Sequence, residues 1–167
     1  MKRILTLVIL AALLLSGCDH SEKPTDTVTF YYLRSEIAYG GDDGVIAAEE
    51  RELAVGELPP SELLHLYLQG PQTEGLVLPL PAGTLLTDVS VDGAVITVAF
   101  GPALSGLTDM DLSIACACVG YTCFAATGAE TVHITSPATD LSGPVSYTVT
   151  RDTFLLYDDT TVEADAS

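Results

Sequence analysis

Within residues 75–100, apolar and polar residues alternate from Asp88 to Asp92, and this period of two predicts an antiparallel hairpin after a proline-rich extended approach. Asp92 and Gly93 are predicted as its turn, because a type I′ turn needs positive φ at both central positions. A turn there implies four cross-strand pairs: Val91 with Ala94, Val89 with Ile96, Thr87 with Val98, and Leu85 with Phe100. The hairpin is therefore expected to have one apolar face, with Asp88, Ser90 and Asp92 on the other.

Further strands are predicted on both sides of this hairpin. Residues 27–34 have the β-branched and aromatic content of a strand. Residues 45–55 contain AAEEREL, which is compatible with a helix or a strand. The glycine-rich turn before this segment favours a strand that forms a hairpin with the first. Residues 131–135 predict a short strand, and 145–150 with 153–157 predict a further hairpin.

Two helices are predicted. The first begins at Pro59-Pro60-Ser61-Glu62 and ends at Gly70-Pro71, since proline and an acidic side chain suit a first turn and Gly-Pro stops a helix. Its apolar face consists of Leu63, Leu64, Tyr67 and Leu68. The second helix covers about 108–126 and is apolar nearly all the way round, which predicts deep burial.

The order of these elements predicts the fold class. Strands and helices alternate irregularly, with a hairpin in the middle, which is typical of an α+β fold. We expect a two-layer sandwich in which a mixed or antiparallel sheet carries two helices packed on one face.

The N-terminus has the features of a bacterial lipoprotein signal. The basic segment Met1-Lys2-Arg3 precedes an apolar run at 4–15 that is too short to span a membrane. Leu15-Ser16-Gly17-Cys18 then matches the lipobox, which outweighs the alternative of an ordinary secretory signal with a chance cysteine. By this resemblance, residues 1–17 are removed and Cys18 receives the fatty-acyl chains that anchor the protein on the extracytoplasmic face of the bacterial cell membrane.

The predicted mature chain is strongly acidic. Loss of Lys2 and Arg3 leaves four basic against 23 acidic side chains, a net charge near −19. Because phosphate binding needs lysine and arginine, this balance argues against a nucleic acid as partner. It also argues against docking of the domain on an anionic lipid surface. Residues 18–26 are predicted to form the lipidated cysteine and a polar tether, and 158–167 an acidic, disordered tail.

Three motifs follow one another in the centre of the chain. A leucine-rich helix ends in Leu68-Gln69-Gly70-Pro71, Pro79-Leu80-Pro81-Ala82-Gly83-Thr84 follows, and the hairpin of 89–98 comes next. This succession closely resembles the GerMN domain, the sporulation and spore-germination module of Gram-positive bacteria. The resemblance covers about 27–136, which leaves 137–157 as a C-terminal extension. It implies a binding or assembly module to which no catalytic residues are assigned.

Patterns typical of catalysis do not occur in the sequence. His20, His65 and His133 are scattered, and there is no Gly-x-Ser-x-Gly elbow, glycine-rich phosphate loop or His-Glu-x-x-His motif. We therefore do not expect an enzyme, and no cofactor is predicted.

Metal binding is also not expected. Cys116, Cys118, Cys123 and His133 have the composition of a zinc site, but residues two apart on a helix point about 200° apart. Buried, free thiols are predicted instead, because every pair within one helix at 108–126 is either too far apart along the axis or points in different directions for a disulfide. The acidic groups lack the spacing of a calcium loop: Asp42-Asp43, Asp109 with Asp111, and Asp158-Asp159.

Three functions remain open at this point. The expected one is a membrane-anchored, non-catalytic binding or assembly module that contacts another protein of the cell envelope, in sporulation or germination by resemblance. The alternatives are a ligand-binding lipoprotein for a cell-wall fragment or small solute, and an accessory subunit of a peptidoglycan hydrolase. An exposed apolar patch beside a sheet edge favours the first function. A concave pocket with several convergent polar groups favours the second.

Overall fold

The computed structural model describes residues 26–36, 44–53 and 58–152. Within these ranges the chain forms seven strands: β1 (Asp26–Arg34), β2 (Ile46–Leu53), β3 (Leu76–Val77), β4 (Leu86–Asp92), β5 (Val95–Phe100), β6 (Thr131–Ser136) and β7 (Val145–Thr150). The helices are α1 (Pro60–Tyr67) and α2 (Asp109–Thr127), and a short 3₁₀ helix (Pro102–Gly106) precedes α2. Several predicted features lie outside the described residues: the signal peptide, Cys18, the tether with His20, Asp42-Asp43, the strand at 153–157 and the acidic tail.

The strands form two sheets. One is antiparallel with the order β2-β1-β3, and its β1–β2 hairpin confirms that residues 46–53 form a strand. The other has the order β4-β5-β6-β7 and is mixed, because β5 and β6 run parallel. A parallel pair needs a long crossover connection, which the 3₁₀ helix and α2 supply. The predicted α+β sandwich is confirmed, with its strands divided between two sheets.

Helix α2 lies between the two sheets. The hydroxyl oxygen of Thr122 accepts a hydrogen bond of 3.0 Å from the backbone N–H of Tyr31 in β1. Gly120, about 200° away around the helix, faces β7, where an added Cβ would lie 2.7 Å from a methyl carbon of Val149. The helix is long and apolar enough to cross a membrane, yet half of that stretch is buried inside the domain, as befits a core helix. A helix that is apolar all round can thus serve both sheets.

The central hairpin has the predicted faces from Val89 to Val98 but a different register. Asp92 pairs with Val95 and Val89 with Val98, so none of the four predicted pairs forms. The two turn residues are Gly93 and Ala94, and only Gly93 has positive φ, at 58°. A type II′ turn needs glycine at its first central position, whereas the predicted type I′ turn needs two residues with positive φ. These faces survive because cross-strand partners change by two residues there, which is one full period of a strand. A bulge between Leu86 and Asp88 shifts the register by one residue, so Leu86 pairs with Phe100 and the predicted apolar-face residue Leu85 is 67% exposed.

Only β5 is fully buried on the apolar face of this hairpin. Ile96, Val98 and Phe100 are at most 1% exposed, whereas Val91 on β4 is 56% exposed. The difference follows from position, since β4 is an edge strand and β5 lies inside the sheet. The core continues through three further groups of fully buried side chains: Val132 and Ile134 of β6, Val149 of β7, and Leu63, Leu64 and Tyr67 of α1.

Both helices begin close to the predicted positions. Pro60 occupies the first turn of α1, and its predicted apolar face is buried except for the half-buried Leu68. Thr108 has the extended backbone of an N-cap residue before α2. Its hydroxyl does not cap the helix but donates to a carboxylate oxygen of Asp111, at 2.6 Å.

Candidate functional site

A groove of about 320 Å³ lies between the C-terminal end of β1 and the first turns of α2. We call it the β3 groove, because the chain that leaves β3 forms one of its walls. Its lining comprises Leu33, Leu78, Pro79, Leu80, Pro81, Leu107, Asp111 and Ile114. These residues come from three separate parts of the chain, at 33, 78–81 and 107–114, which the fold brings together.

The proline-rich wall explains why a groove forms beside the sheet. Val77 pairs with Leu33 of β1, and the strand ends there because Pro79 and Pro81 have no N–H to offer a neighbouring strand. The backbone N–H of Thr84 donates to the carbonyl oxygen of Pro81 at 3.1 Å and closes a turn. Gly83 has φ of 79°, which the third position of a type II turn requires. The Pro-x-Pro-x-Gly-Thr motif therefore ends β3 and turns the chain into β4.

The opposite wall is formed by Leu107 and the start of α2. Asp111 and Ile114 are three residues apart and so lie on one side of the helix. Asp111 is exposed and is the only ionisable residue in the lining. Thr108 holds one of its carboxylate oxygens in place. The groove thus offers apolar side chains and a single carboxylate at its rim.

The apolar lining of the groove fits a protein surface better than a small polar ligand. Sites for small polar ligands use several convergent polar groups. The β3 groove has one polar side chain, and it lies next to β3, an edge strand of the three-stranded sheet. An apolar surface next to a sheet edge is typical of contact with another protein.

A buried ionic cluster supports the loop that leads into β3. Arg51 is 8% exposed, and its Nε donates to Oε1 of Glu49 at 2.5 Å. Its NH2 group also donates to the hydroxyl of Tyr32 at 2.9 Å and to the carbonyl oxygen of Gly70 at 2.8 Å. The other carboxylate oxygen of Glu49 accepts the backbone N–H of Thr73 at 2.6 Å. The cluster therefore fixes the segment between α1 and β3 onto β2.

The ionisation of this cluster follows from burial and charge. Burial alone would raise the pKa of Glu49, but the hydrogen bonds from Thr73 and the guanidinium of Arg51 outweigh it and hold that pKa below its usual value. Burial raises the pKa of Tyr32 to about 12, although Arg51 opposes the shift. The cluster is thus a neutral phenol beside a matched ion pair, which is an arrangement suited to holding structure.

Among the described residues, the histidines and cysteines that the sequence suggested as candidate catalytic or metal-binding residues lie apart in the structure. His65 lies on the exposed side of α1, and His133 on the exposed face of β6, with Nδ1 2.9 Å from the hydroxyl oxygen of Thr148. The three cysteines of α2 are buried and free: Cys116, Cys118 and Cys123. Burial raises the pKa of each thiol to about 12. Within the described ranges, no three His, Cys, Asp or Glu side chains are grouped to hold a metal ion.

His133 belongs to the open face of the four-stranded sheet. The cross-strand register places Ser90, Thr97, His133 and Thr148 in one row. The neighbouring rows of this face carry Asp92, Val95, Thr131 and Thr150 on one side and Asp88, Ala99, Thr135 and Ser146 on the other. This face is polar and bears no aromatic side chain. A sheet of this kind commonly packs one face on the core and leaves the other in water.

Sequence reasoning missed the groove. The sequence identified the Pro-x-Pro-x-Gly-Thr motif through its resemblance to the GerMN domain, and Asp111 only as an acidic residue near the start of a helix. No local signal links these two segments with Leu33, because their contact depends on tertiary packing over many residues.

The chain is thus an α+β sandwich with an apolar groove beside a sheet edge. The chain belongs to the Germane family, described as "Sporulation and spore germination", whose family model matches residues 29–136. This match confirms the resemblance found in the central motifs. The chain is also similar to a solved structure described as a "Putative Lipoprotein from Clostridium perfringens", with 16% identity and a TM-score of 0.43 over 73% of this chain and 87% of that chain. No curated protein matches the chain.

Proposed function

We propose that the protein is a lipid-anchored, non-catalytic binding or assembly module of the bacterial envelope that acts in sporulation or germination. The observation that carries this proposal is the β3 groove, an apolar surface beside a sheet edge with one polar side chain. Membership of a sporulation and spore-germination family supports the biological setting. The partner is a second envelope protein; a peptidoglycan hydrolase served by this module as an accessory subunit is one form of the same contact.

Anchoring through Cys18 supports the location on the extracytoplasmic face of the membrane. The lipobox supplies the acylation site, and two acyl chains suffice for stable attachment. Replacing Cys18 by Ala is expected to abolish incorporation of a labelled fatty acid and to leave the precursor unprocessed. Continued labelling of the Cys18→Ala variant would contradict this part of the proposal.

A second candidate function, capture of a cell-wall fragment or small solute, has weaker support. Such ligands carry many hydroxyl or amide groups, which need several polar partners in a binding site. The groove offers only the carboxylate of Asp111 among its side chains. The open sheet face offers hydroxyl groups but no enclosure.

Complementation of a deletion strain tests the role of the groove. Leu107→Asp places a charge in the groove, and Leu141→Asp makes the same change at a residue that is 97% exposed and outside the lining. Asp111→Lys provides a second groove variant at an exposed position, where a folding defect is not expected. Each variant is first checked for membrane accumulation and for its thermal unfolding midpoint.

We expect the wild type and Leu141→Asp to restore spore formation or germination in the deletion strain. Folded Leu107→Asp and Asp111→Lys are expected not to restore it. Full restoration by both groove variants would contradict the proposal.

A further inference from the structure

We infer that the β3 groove receives a basic amphipathic segment of a partner protein, with an apolar side chain in the groove and a lysine or arginine on the carboxylate of Asp111. This inference rests on the proposed function and names the chemistry of its partner. It is carried by the charge of the domain, the environment of Asp111 and the size of the groove.

The protein is strongly acidic, and it has few basic side chains to balance its carboxylates. The whole chain carries a formal net charge of −17. In the part of the chain that the structure describes, all three arginines are already engaged with the protein itself. Arg34 donates to the carbonyl oxygen of Gly44, Arg51 to Glu49, and Arg151 to the carbonyl oxygen of Phe124. Among the described residues, the ion pair found joins Arg51 to Glu49, so these three arginines form no salt bridge with the described surface carboxylates.

Asp111 is placed to use this charge at the groove. One carboxylate oxygen accepts the Thr108 hydroxyl, and no basic side chain among the described residues forms an ion pair with the carboxylate. Asp109, two residues earlier on the helix, points about 200° away and is not part of the groove lining. A cation at this rim therefore gains Coulomb attraction from the carboxylate of Asp111 without displacing a basic partner.

The same charges argue against other occupants. A second copy of this chain would bring a surface of the same sign, and its arginines would be engaged in the same way. An anionic lipid surface would be repelled. The groove volume of about 320 Å³ lies at the lower end of the range for ligand pockets, which suits a few side chains of one segment.

Peptide binding to the intact lipoprotein tests the inference. The acylated protein is placed in phosphatidylcholine nanodiscs, with empty nanodiscs as a blank. Three fluorescein-labelled peptides are compared by anisotropy: LKKLLKKL, LEELLEEL and LQQLLQQL. The basic peptide is expected to bind more tightly than the other two, and less tightly as salt rises.

Matched variants separate the groove from general attraction by an acidic protein. Asp111→Asn is expected to weaken binding of LKKLLKKL by about two- to five-fold, the range of an exposed ion pair. Asp92→Asn removes the same charge from an exposed site on β4, outside the groove lining, and is expected to leave the affinity unchanged. Leu107→Asp is expected to weaken binding of all three peptides, because it removes the apolar contact.

Equal weakening by Asp92→Asn and Asp111→Asn would overturn the inference, since the attraction would then be unspecific. Binding of LQQLLQQL or LEELLEEL as tight as that of LKKLLKKL would also overturn it. Either result leaves the proposed function standing, because complementation of the deletion strain by the folded groove variants tests that proposal separately.

Discussion

Glu49 and Arg51 on β2 show how alternate positions of one strand differ in burial. They point inward from β2 and form a buried ion pair, while Glu50 and Glu52 between and beside them are exposed. The sequence AAEEREL is compatible with a helix or a strand, and only its pairing with β1 shows which side chains point inward. Burial of the pair then depends on Tyr32 and on the loop after α1, which no local pattern indicates.

Replacing Glu49 by Gln is expected to lower the free energy of unfolding by about 3 kcal/mol at neutral pH, because the Arg51 guanidinium stays buried without its counter-charge. Folding holds the pKa of Glu49 below its usual value of 4.5. The ionised carboxylate therefore stabilises the fold above that value, and the contribution is lost as the pH falls through the lower, folded-state pKa. Denaturant unfolding as a function of pH measures this difference.

The control for this variant is Glu50→Gln on the exposed side of the same strand, which is expected to change stability by less than about 0.5 kcal/mol. A difference between wild type and Glu49→Gln that stays constant far below pH 4.5 would contradict the assigned role.

Gly120 is a second residue whose role only the structure explains. Glycine in a helix interior costs about 1 kcal/mol relative to alanine, so the sequence marks it as a weakness of α2. The structure shows why it is there: Val149 of β7 fills the space that a side chain would take.

Gly120→Ala is expected to destabilise the protein by about 1–3 kcal/mol, because the overpacking against Val149 outweighs the gain in helix propensity. In a Val149→Ala background the same change should be neutral or stabilising, since the clash is removed. A double-mutant cycle by denaturant unfolding measures this coupling. Stabilisation by Gly120→Ala alone would show that α2 and β7 are not in close contact.

At the scale of elements, the sequence predicted most strands and helices but not how the central hairpin turns. Period-two alternation indicated which residues share a face, and it remained valid for residues 89–98, where the actual register differs by a full period. It failed at Leu85, because a bulge before Asp88 shifts the register by one residue. The turn itself was predicted wrongly. Asp92-Gly93 and Gly93-Ala94 both place glycine where positive φ is allowed, and local sequence did not separate them.

The cross-strand pair of Val91 and Ile96 tests the difference between an edge strand and an inner strand. Ile96→Ala is expected to cost about 2–5 kcal/mol, the range for truncating a large core side chain. Val91→Ala, at a position that is 56% exposed, is expected to cost less than about 1 kcal/mol. Denaturant midpoints of the two variants provide the comparison. Equal losses would mean that β4 is covered on its apolar face.

At the scale of the whole molecule, the sequence predicted the fold class and the family module. It did not predict that the strands divide into two sheets around α2, because pairing between distant strands has no local signature. The same reason applies to the β3 groove, where Leu33 and Ile114 are brought together by the packing of β1 on the helix.

The reactivity of the three thiols of α2 reports on the burial of this helix between the two sheets. Folding raises the pKa of each from 9.0 to about 12 through burial, and the thiolate is the form that reacts with an alkylating reagent. We expect Cys116, Cys118 and Cys123 to be alkylated together in denaturant and very slowly in the folded protein. Mass spectrometry of never-reduced protein measures this. Rapid labelling of one thiol under native conditions would place part of α2 at the surface.

If this module works through contact at the β3 groove, its partner lies within reach of a photocrosslinker placed there. We would place p-benzoylphenylalanine at Leu107 or, as control, at Leu141, and irradiate sporulating cells. We expect one defined protein adduct from position 107 that Asp111→Lys diminishes, and no such adduct from position 141. Adducts of equal yield from both positions, or an adduct from position 107 that Asp111→Lys does not change, would contradict this expectation.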